Sequence, residues 1–305
     1  MNVSVAIPTV GRDTLHATLR SLERQTVRPH EVLVVNQGPP ELEESLNYDL
    51  PIRHLHQDAR GLSRARNRAL DTYTGDWILF TDDDQEVNAE WVEQLGVLAG
   101  AFPEAEMFGG AVLPPVKYDP AKEFVSQLYV PGEIVIDRDS YLRPAAGPYM
   151  QNDIWGGNFA LSRSCVERIG RYDEYLGRGS GLCEVGEDTD YTMRAISQGL
   201  VGVLSCRLII YHTYGVRPIM ESTTRELIEM AAVIAWKSER DTAHLSPELA
   251  SRVQPFGRKK ALLGRLSGGA LFQDHAWRKG VYDEFLSRLS AGYDVEAGRI
   301  VPKTA

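Results

Sequence analysis

WILFTDDD (residues 77–84) sets four apolar residues, Trp77 to Phe80, directly ahead of three carboxylates. A short apolar run bounded by polar residues reads as a strand buried on both faces. The Asp triplet then stands at that strand's carboxyl end. Working outward, the apolar runs at 3–7, 31–35, 52–56 and 107–113 read as further strands. Helical spacing at 14–25, 62–73 and 89–99 separates them, with Leu15, Leu19 and Leu22 marking the first helix. This βαββαβαβ order predicts an α/β fold, a largely parallel central sheet with helices on both faces. Ligands of such sheets sit beyond the carboxyl ends of the strands. Residues 8–12, 36–40 and 81–84 are therefore the candidate ligand loops.

The middle of the chain is less regular. Residues 114–148 hold six prolines, and so long a loop suits a functional or moving segment. A strand pattern resumes at 155–161, a helix at 188–198 closes on Gly199, and a strand at 203–211 ends at His212. Beyond 220 the pattern is helical, at 221–240, 247–253 and 275–289. Residues 1–220 carry 20 basic and 31 acidic side chains, whereas 221–305 carry 13 and 11. The expected organisation is a catalytic domain at 1–220, divided at 113/114, and a helical extension at 221–305.

The 305 residues, 43% hydrophobic and 25% charged, exclude collagen-like, disordered and disulfide-framework chains. A net charge of −9 argues against a general nucleic-acid binder, which needs a basic footprint. Cys165, Cys183 and Cys206 lack C-x-x-C spacing and fit a reducing cytosol. No signal-peptide pattern opens the chain, and the apolar run 230–236 is too short to span a bilayer. A cytoplasmic location is expected. The basic segment 256–266 adds peripheral contact with the inner face of a membrane as an option, beside the blander readings of a helical cap or a homodimer contact.

Five features bear on chemistry. Asp82, Asp83 and Asp84 repel one another unless a cation compensates them, and hard oxygen ligands suit Mg²⁺ or Mn²⁺. The bland alternative is a solvated turn. GLSRARNRAL (61–70), with Arg60, supplies four arginines nearby; Gly61 and Ser63 stand at a helix start, whose N-terminus attracts phosphate. Arg64 and Arg68 share one helix face, read as solvent-facing, while Arg66 and Asn67 point elsewhere. In GEDTD (186–190), Glu187 and Asp188 open a helix, as a cap or as a carboxylate pair suited to a general base. His212 ends a strand and is either a structural residue or a ligand. Trp155-Gly156-Gly157-Asn158 combines a flat apolar face, such as sugar rings stack on, with glycines that admit close backbone approach.

In order and spacing, AIPTVGR (6–12), Gln25-Thr26, ARGLSRARNRAL (59–70), FTDDD (80–84), WGGNFALSRSCVERIGRYDE (155–174), GEDTDYTMRAISQG (186–199) and YHTY (211–214) resemble the inverting family 2 glycosyltransferases of GT-A fold. The resemblance covers about two-thirds of the chain and implies a nucleotide-diphospho-sugar-binding half followed by an acceptor-binding half. Residues 81–84 match the family's D-x-D motif. Asp82 would contact ribose or join the metal site, Asp84 would ligate Mn²⁺ or Mg²⁺, and Asp83 is ambiguous. Asp188 matches the catalytic base of a Glu-Asp pair, and His212 a histidine that completes metal coordination. Pro8, Thr9, Arg12, Asn36 and Gln37 fall where the nucleotide is cradled, and Arg66 beside it. One departure is Asn36-Gln37-Gly38-Pro39, where the family commonly shows an Asp-Asp-Gly-Ser turn. An amide facing the base would favour UDP- or dTDP-sugars over GDP-sugars. The acceptor is expected to be a carbohydrate, lipid-linked or small-molecule hydroxyl, with loops 114–148 and 177–186 closing over the donor. A metal-dependent nucleotidyltransferase or phosphohydrolase, and a non-catalytic sugar-nucleotide-binding module, are the rival readings.

Overall fold

The structure is a computed structural model that describes residues 1–114, 130, 132–142, 154–212, 221–251 and 270–303. Eleven strands and nine α-helices follow one another along these residues. The strands are β1 (Val3–Thr9), β2 (Glu31–Asn36), β3 (Ile52–His56), β4 (Trp77–Thr81), β5 (Gln85–Val87), β6 (Ala105–Leu113), β7 (Glu133–Ile136), β8 (Asn158–Ser162), β9 (Val201–His212), β10 (Tyr293–Glu296) and β11 (Arg299–Pro302). The helices are α1 (Leu15–Glu23), α2 (Leu62–Leu70), α3 (Trp91–Ala101), α4 (Arg138–Leu142), α5 (Arg163–Ile169), α6 (Glu187–Ser197), α7 (Glu221–Arg240), α8 (Pro247–Ala250) and α9 (Ala270–Gly292).

The main sheet runs β3-β2-β1-β4-β8-β6-β9-β5, with β7 also on β9. Its first half, β3-β2-β1-β4, is parallel throughout. β1, β2 and β4 are buried along their whole length, as expected of strands with helices on both faces. Strand β8 then enters antiparallel to both β4 and β6, β6 pairs parallel with β9, and the short β5 lies antiparallel to β9. Sequence order alone does not reveal these antiparallel joins.

The register of those joins places the site. Thr9 pairs with Asn36, so the first two ligand loops leave the sheet side by side. Thr81 pairs with Asn158 and Gln85 with His212. The chain thereby carries 155–158 and the end of β9 to the two flanks of the Asp triplet.

The C-terminal segment belongs to the same core. Ala232, Val233, Ile234 and Trp236 of α7, Phe285 and Leu289 of α9 and Ile300 of β11 join the apolar cluster of the sheet. Among its described residues the extension is helical at 221–240, 247–250 and 270–292, and it ends in the hairpin β10–β11. Ala297 and Gly298 turn that hairpin with positive φ, a D-x-E-A-G-R signal too short to register as strand periodicity. Among the described residues no helix is long and apolar enough to cross a membrane. The basic segment 256–266 lies outside the described residues.

Candidate active site

A cleft of ≈ 550 Å³ opens at the carboxyl end of β4. That volume suits a small-molecule site. Arg66, Asp82, Trp155, Gly156, Gly157, Glu187, Asp188 and His212 line it. So do the aliphatic Leu62, Val112, Val185, Leu227 and Met230.

The Asp triplet is divided by its partners. Asp83 is buried and turned towards β1: its carboxylate accepts from the Thr9 hydroxyl at 2.6 Å and from Arg12 at 3.2 Å. It holds the first ligand loop rather than a ligand. Asp82 faces the cleft, 3.6 Å from Arg66 and bonded by Gln85 Nε2 at 3.3 Å. Burial raises its carboxyl to about 6; Arg66 opposes this, and Asp84 and Asp83 reinforce it. Asp84 lies 3.2 Å from Arg12 and 3.5 Å from His212 Nε2.

Among the described residues no group of three His, Cys, Asp or Glu side chains is placed to hold a metal ion. Asp84 and His212 form a pair, with Asp82 on the same turn. This donor set fits an ion that takes its remaining ligands from water and phosphate, as Mg²⁺ and Mn²⁺ do.

Arg66 joins the two halves of the cleft. It is the most buried of the four arginines, 1% exposed. Its Nη1 donates to Glu187 Oε1 at 2.7 Å, and its guanidinium lies over the Phe80 and Tyr172 rings. Burial and the adjacent Asp188 push the Glu187 carboxyl up to about 7, against the pull of Arg66. Asp188 Oδ2 accepts from the Gly156 N–H at 2.8 Å, which holds the carboxylate at the cleft. Gly186, not Asp188, occupies the helix cap, with φ +93°.

The glycine pair serves these side chains. A Cβ on Gly156 would meet the Arg66 guanidinium at 2.5 Å, and one on Gly157 would meet Asp82 Oδ2 at 2.6 Å. The close approach expected for a ligand is therefore made to the site's own residues. Trp155, half-buried, lines the cleft beside them.

Several residues expected to touch a ligand have their polar atoms engaged within the protein. Ser63 donates to Leu176 O at 2.6 Å and the Leu62 N–H to Arg178 O at 2.8 Å, so segment 176–178 already occupies the start of α2 beside Gly61. Asn67 clips Tyr172 through both ends of its amide. Asn158, fully buried, accepts from Trp91 and donates to the Leu208 and Ala111 carbonyls. None of Ser63, Asn67 and Asn158 lines the cleft. Asn36 spends its amide within its own turn, donating to Pro39 O at 2.6 Å and accepting from the Gly38 N–H at 2.7 Å. Gln37 donates to the Ala59 and Gly61 carbonyls. The amide contact invoked for a pyrimidine preference is thus already occupied. Pro8 is buried in β1, and the side chain of Arg12 is half exposed at the rim.

Segment 177–186 is bonded in place, contrary to a free lid. The Gly177 N–H donates to Cys183 O, the Gly179 N–H to Glu184, and Arg178 makes a two-pronged pair with Glu226 at 2.8 and 3.0 Å. Most of the other expected lid, 114–148, lies outside the described residues. Sequence reasoning missed Gln85, Leu227 and Met230. The last two lie 37 and 40 positions beyond Asp190, the end of GEDTD, on a helix that reads as remote from chemistry.

The glycosyl transferase family 2 profile matches residues 4–100. The glucosyl-dolichyl phosphate glucuronosyltransferase of Haloferax volcanii is 26% identical over 188 residues, 58% of this chain and 58% of that protein. The succinoglycan biosynthesis protein ExoM of Rhizobium meliloti is 33% identical over 104 residues, 31% of this chain and 34% of that protein. The matched region thus spans less than two-thirds of either relative. Among solved structures, the mannosyltransferase PcManGT from Pyrobaculum calidifontis, in complex with GDP-Man and Mn²⁺, superposes with TM-score 0.56 at 18% identity, covering 97% of this chain and 77% of that one. S. aureus TarS 1–349 in complex with UDP-GlcNAc gives TM-score 0.57 at 14% identity, covering 100% and 97%. The family profile sits on the strands and loops that build the Asp82 side of the cleft, and the GT-A fold extends over the rest, so the chain is similar to the family 2 glycosyltransferases in its first third and to GT-A structures in its fold.

Proposed function

We propose that the chain moves a sugar from a nucleotide-diphospho-sugar to an acceptor hydroxyl with inversion of configuration. The observation that carries this reading is a single cleft lined by Asp82 on one side and Asp188 on the other, bridged by Arg66 and Glu187. Asp84 and His212, with Asp82, would hold Mn²⁺ or Mg²⁺, which supplies charge neutralisation of the diphosphate leaving group. Trp155 offers the sugar a face. Asp188, oriented by the Gly156 N–H, takes the proton from the acceptor hydroxyl as that oxygen attacks the anomeric carbon. Val185, Leu227 and Met230 give the cleft an apolar wall beside Asp188. Because Asn36 is occupied in its turn, the donor is proposed at the level of a nucleotide-diphospho-sugar, with no choice of base built on that residue.

The test is a thermal-shift panel of UDP-, dTDP- and GDP-sugars with and without Mn²⁺, followed by transfer assays on the stabilising donor. A donor at 100 times its dissociation constant stabilises the fold by about 2.7 kcal/mol. Absence of any shift across the panel, or binding without release of nucleoside diphosphate, would refute the reading.

A further inference from the structure

We propose that helix α7 holds the Asp188 end of α6 in place through a two-point clamp, with Lys237 as its positioning residue. The proposal rests on the reading of Asp188 as general base.

Lys237 is fully buried, with Nζ 2.8 Å from Asp173 Oδ2 and 2.5 Å from Asp190 Oδ1. Asp190 also accepts from Arg194 Nε at 2.9 Å, and Asp173 from the Ile300 N–H at 2.8 Å. Two cations and two carboxylates, each at most 1% exposed, thus balance within one cluster. A buried ion pair is often no more stabilising than an apolar pair of the same volume, so stability alone does not account for it. Its geometry does something an apolar contact would do less sharply: it fixes one position along α6.

The second point is Met230. Gly186 caps α6, and a Cβ there would lie 2.5 Å from Met230 Cγ. Met230 and Lys237 are seven residues apart on α7, and Gly186 and Asp190 four apart along α6, so each pair shares a helix face. Glu187 and Asp188 lie between the two clamped positions. α7 cannot slide or rotate without moving the carboxylate that receives the acceptor proton. Leu227, one turn before Met230, brings the same helix to the cleft.

The experiment uses the full chain with Mn²⁺ and follows nucleoside diphosphate release from UDP-GlcNAc, UDP-glucose and GDP-mannose, the sugar passing to water or to added glycerol as acceptor, with the matching nucleotide dissociation constants. Lys237→Met leaves two buried carboxylates facing one cation and is at risk of misfolding. The charge-balanced Lys237→Met/Asp190→Asn pair is therefore made beside it and checked by circular dichroism. The clamp predicts a folded double variant that binds UDP or GDP within about twofold of wild type while kcat falls about tenfold to hundredfold, the scale of a small misplacement of a reacting group. A folded double variant with wild-type kcat overturns the proposal. So does one whose nucleotide affinity falls in step with kcat, since that marks general loosening. Absence of turnover by the wild type overturns the general-base reading, and the clamp with it.

Discussion

Arg66 on α2 and Glu187 on α6 meet at 2.7 Å across the cleft, 121 positions apart in the chain. The same guanidinium lies 3.6 Å from Asp82, so one buried cation holds the Asp82 carboxylate and the Glu-Asp pair at a fixed separation. Replacing Arg66 by Met leaves Glu187 buried without its cation, a change that costs about 3–5 kcal/mol. A large drop in melting temperature is expected. Lys should rescue little, because one ammonium does not span both carboxylates as the planar fork does. Calorimetry of wild type, Arg66→Met and Arg66→Lys checks both statements; a Met variant as stable as wild type would show that the bridge carries no stability.

The metal role proposed for Asp84 and His212 predicts that transfer depends on a divalent ion. Treatment with EDTA should abolish transfer and Mn²⁺ restore it. Asp84→Ala should remove activity at all Mn²⁺ concentrations, whereas His212→Ala should raise the Mn²⁺ requirement, because water can replace one neutral ligand. Titrating Mn²⁺ against initial rate for the three proteins separates these outcomes. Full activity in EDTA would exclude the metal.

A pH dependence of stability arises far from the cleft, at Glu31. Burial would raise its carboxyl, but hydrogen bonds from Ser4, Thr74 and Arg53 outweigh burial and hold it below its ordinary value of 4.5. A lowered carboxyl stabilises the fold above its unfolded value, and this is lost as pH falls through the folded value. The urea midpoint should therefore drop on acidification below about pH 4.5, and Glu31→Gln should flatten that part of the profile. Parallel profiles for the two proteins would assign the acid sensitivity elsewhere.

The sequence was most legible where burial and periodicity act over a whole element. β3 (Ile52–His56) and α7 (Glu221–Arg240) fall on the boundaries read from periodicity, because an apolar face of fixed spacing leaves one register. The Asp triplet's place at a strand end was legible for the same reason. What was hidden depends on partners distant in the chain. Three identical Asp residues give no sign that Asp83 turns towards Thr9. Helical spacing sets Arg66 apart from Arg64 and Arg68, but its depth follows from Glu187 and two aromatic rings brought by other elements. Ser63, Asn67 and Asn158 sit within functional motifs, yet their hydrogen bonds go to groups 47–113 positions away. Lys237 directly follows the apolar run 230–236, and only the fold shows that Asp173 and Asp190 meet it there.

The central claim is that Asp188 removes the acceptor proton. Asn at this position keeps the oxygen that accepts from the Gly156 N–H and gives up only the one that accepts from the neighbouring Thr189 N–H, the smallest change that removes the carboxylate. Sugar transfer by wild type and Asp188→Asn should be compared side by side at saturating donor and Mn²⁺, with donor dissociation constants measured on the same samples. The account predicts unchanged donor affinity and a transfer rate lower by about 10²–10⁴-fold. An Asp188→Asn protein that transfers sugar at the wild-type rate would contradict it.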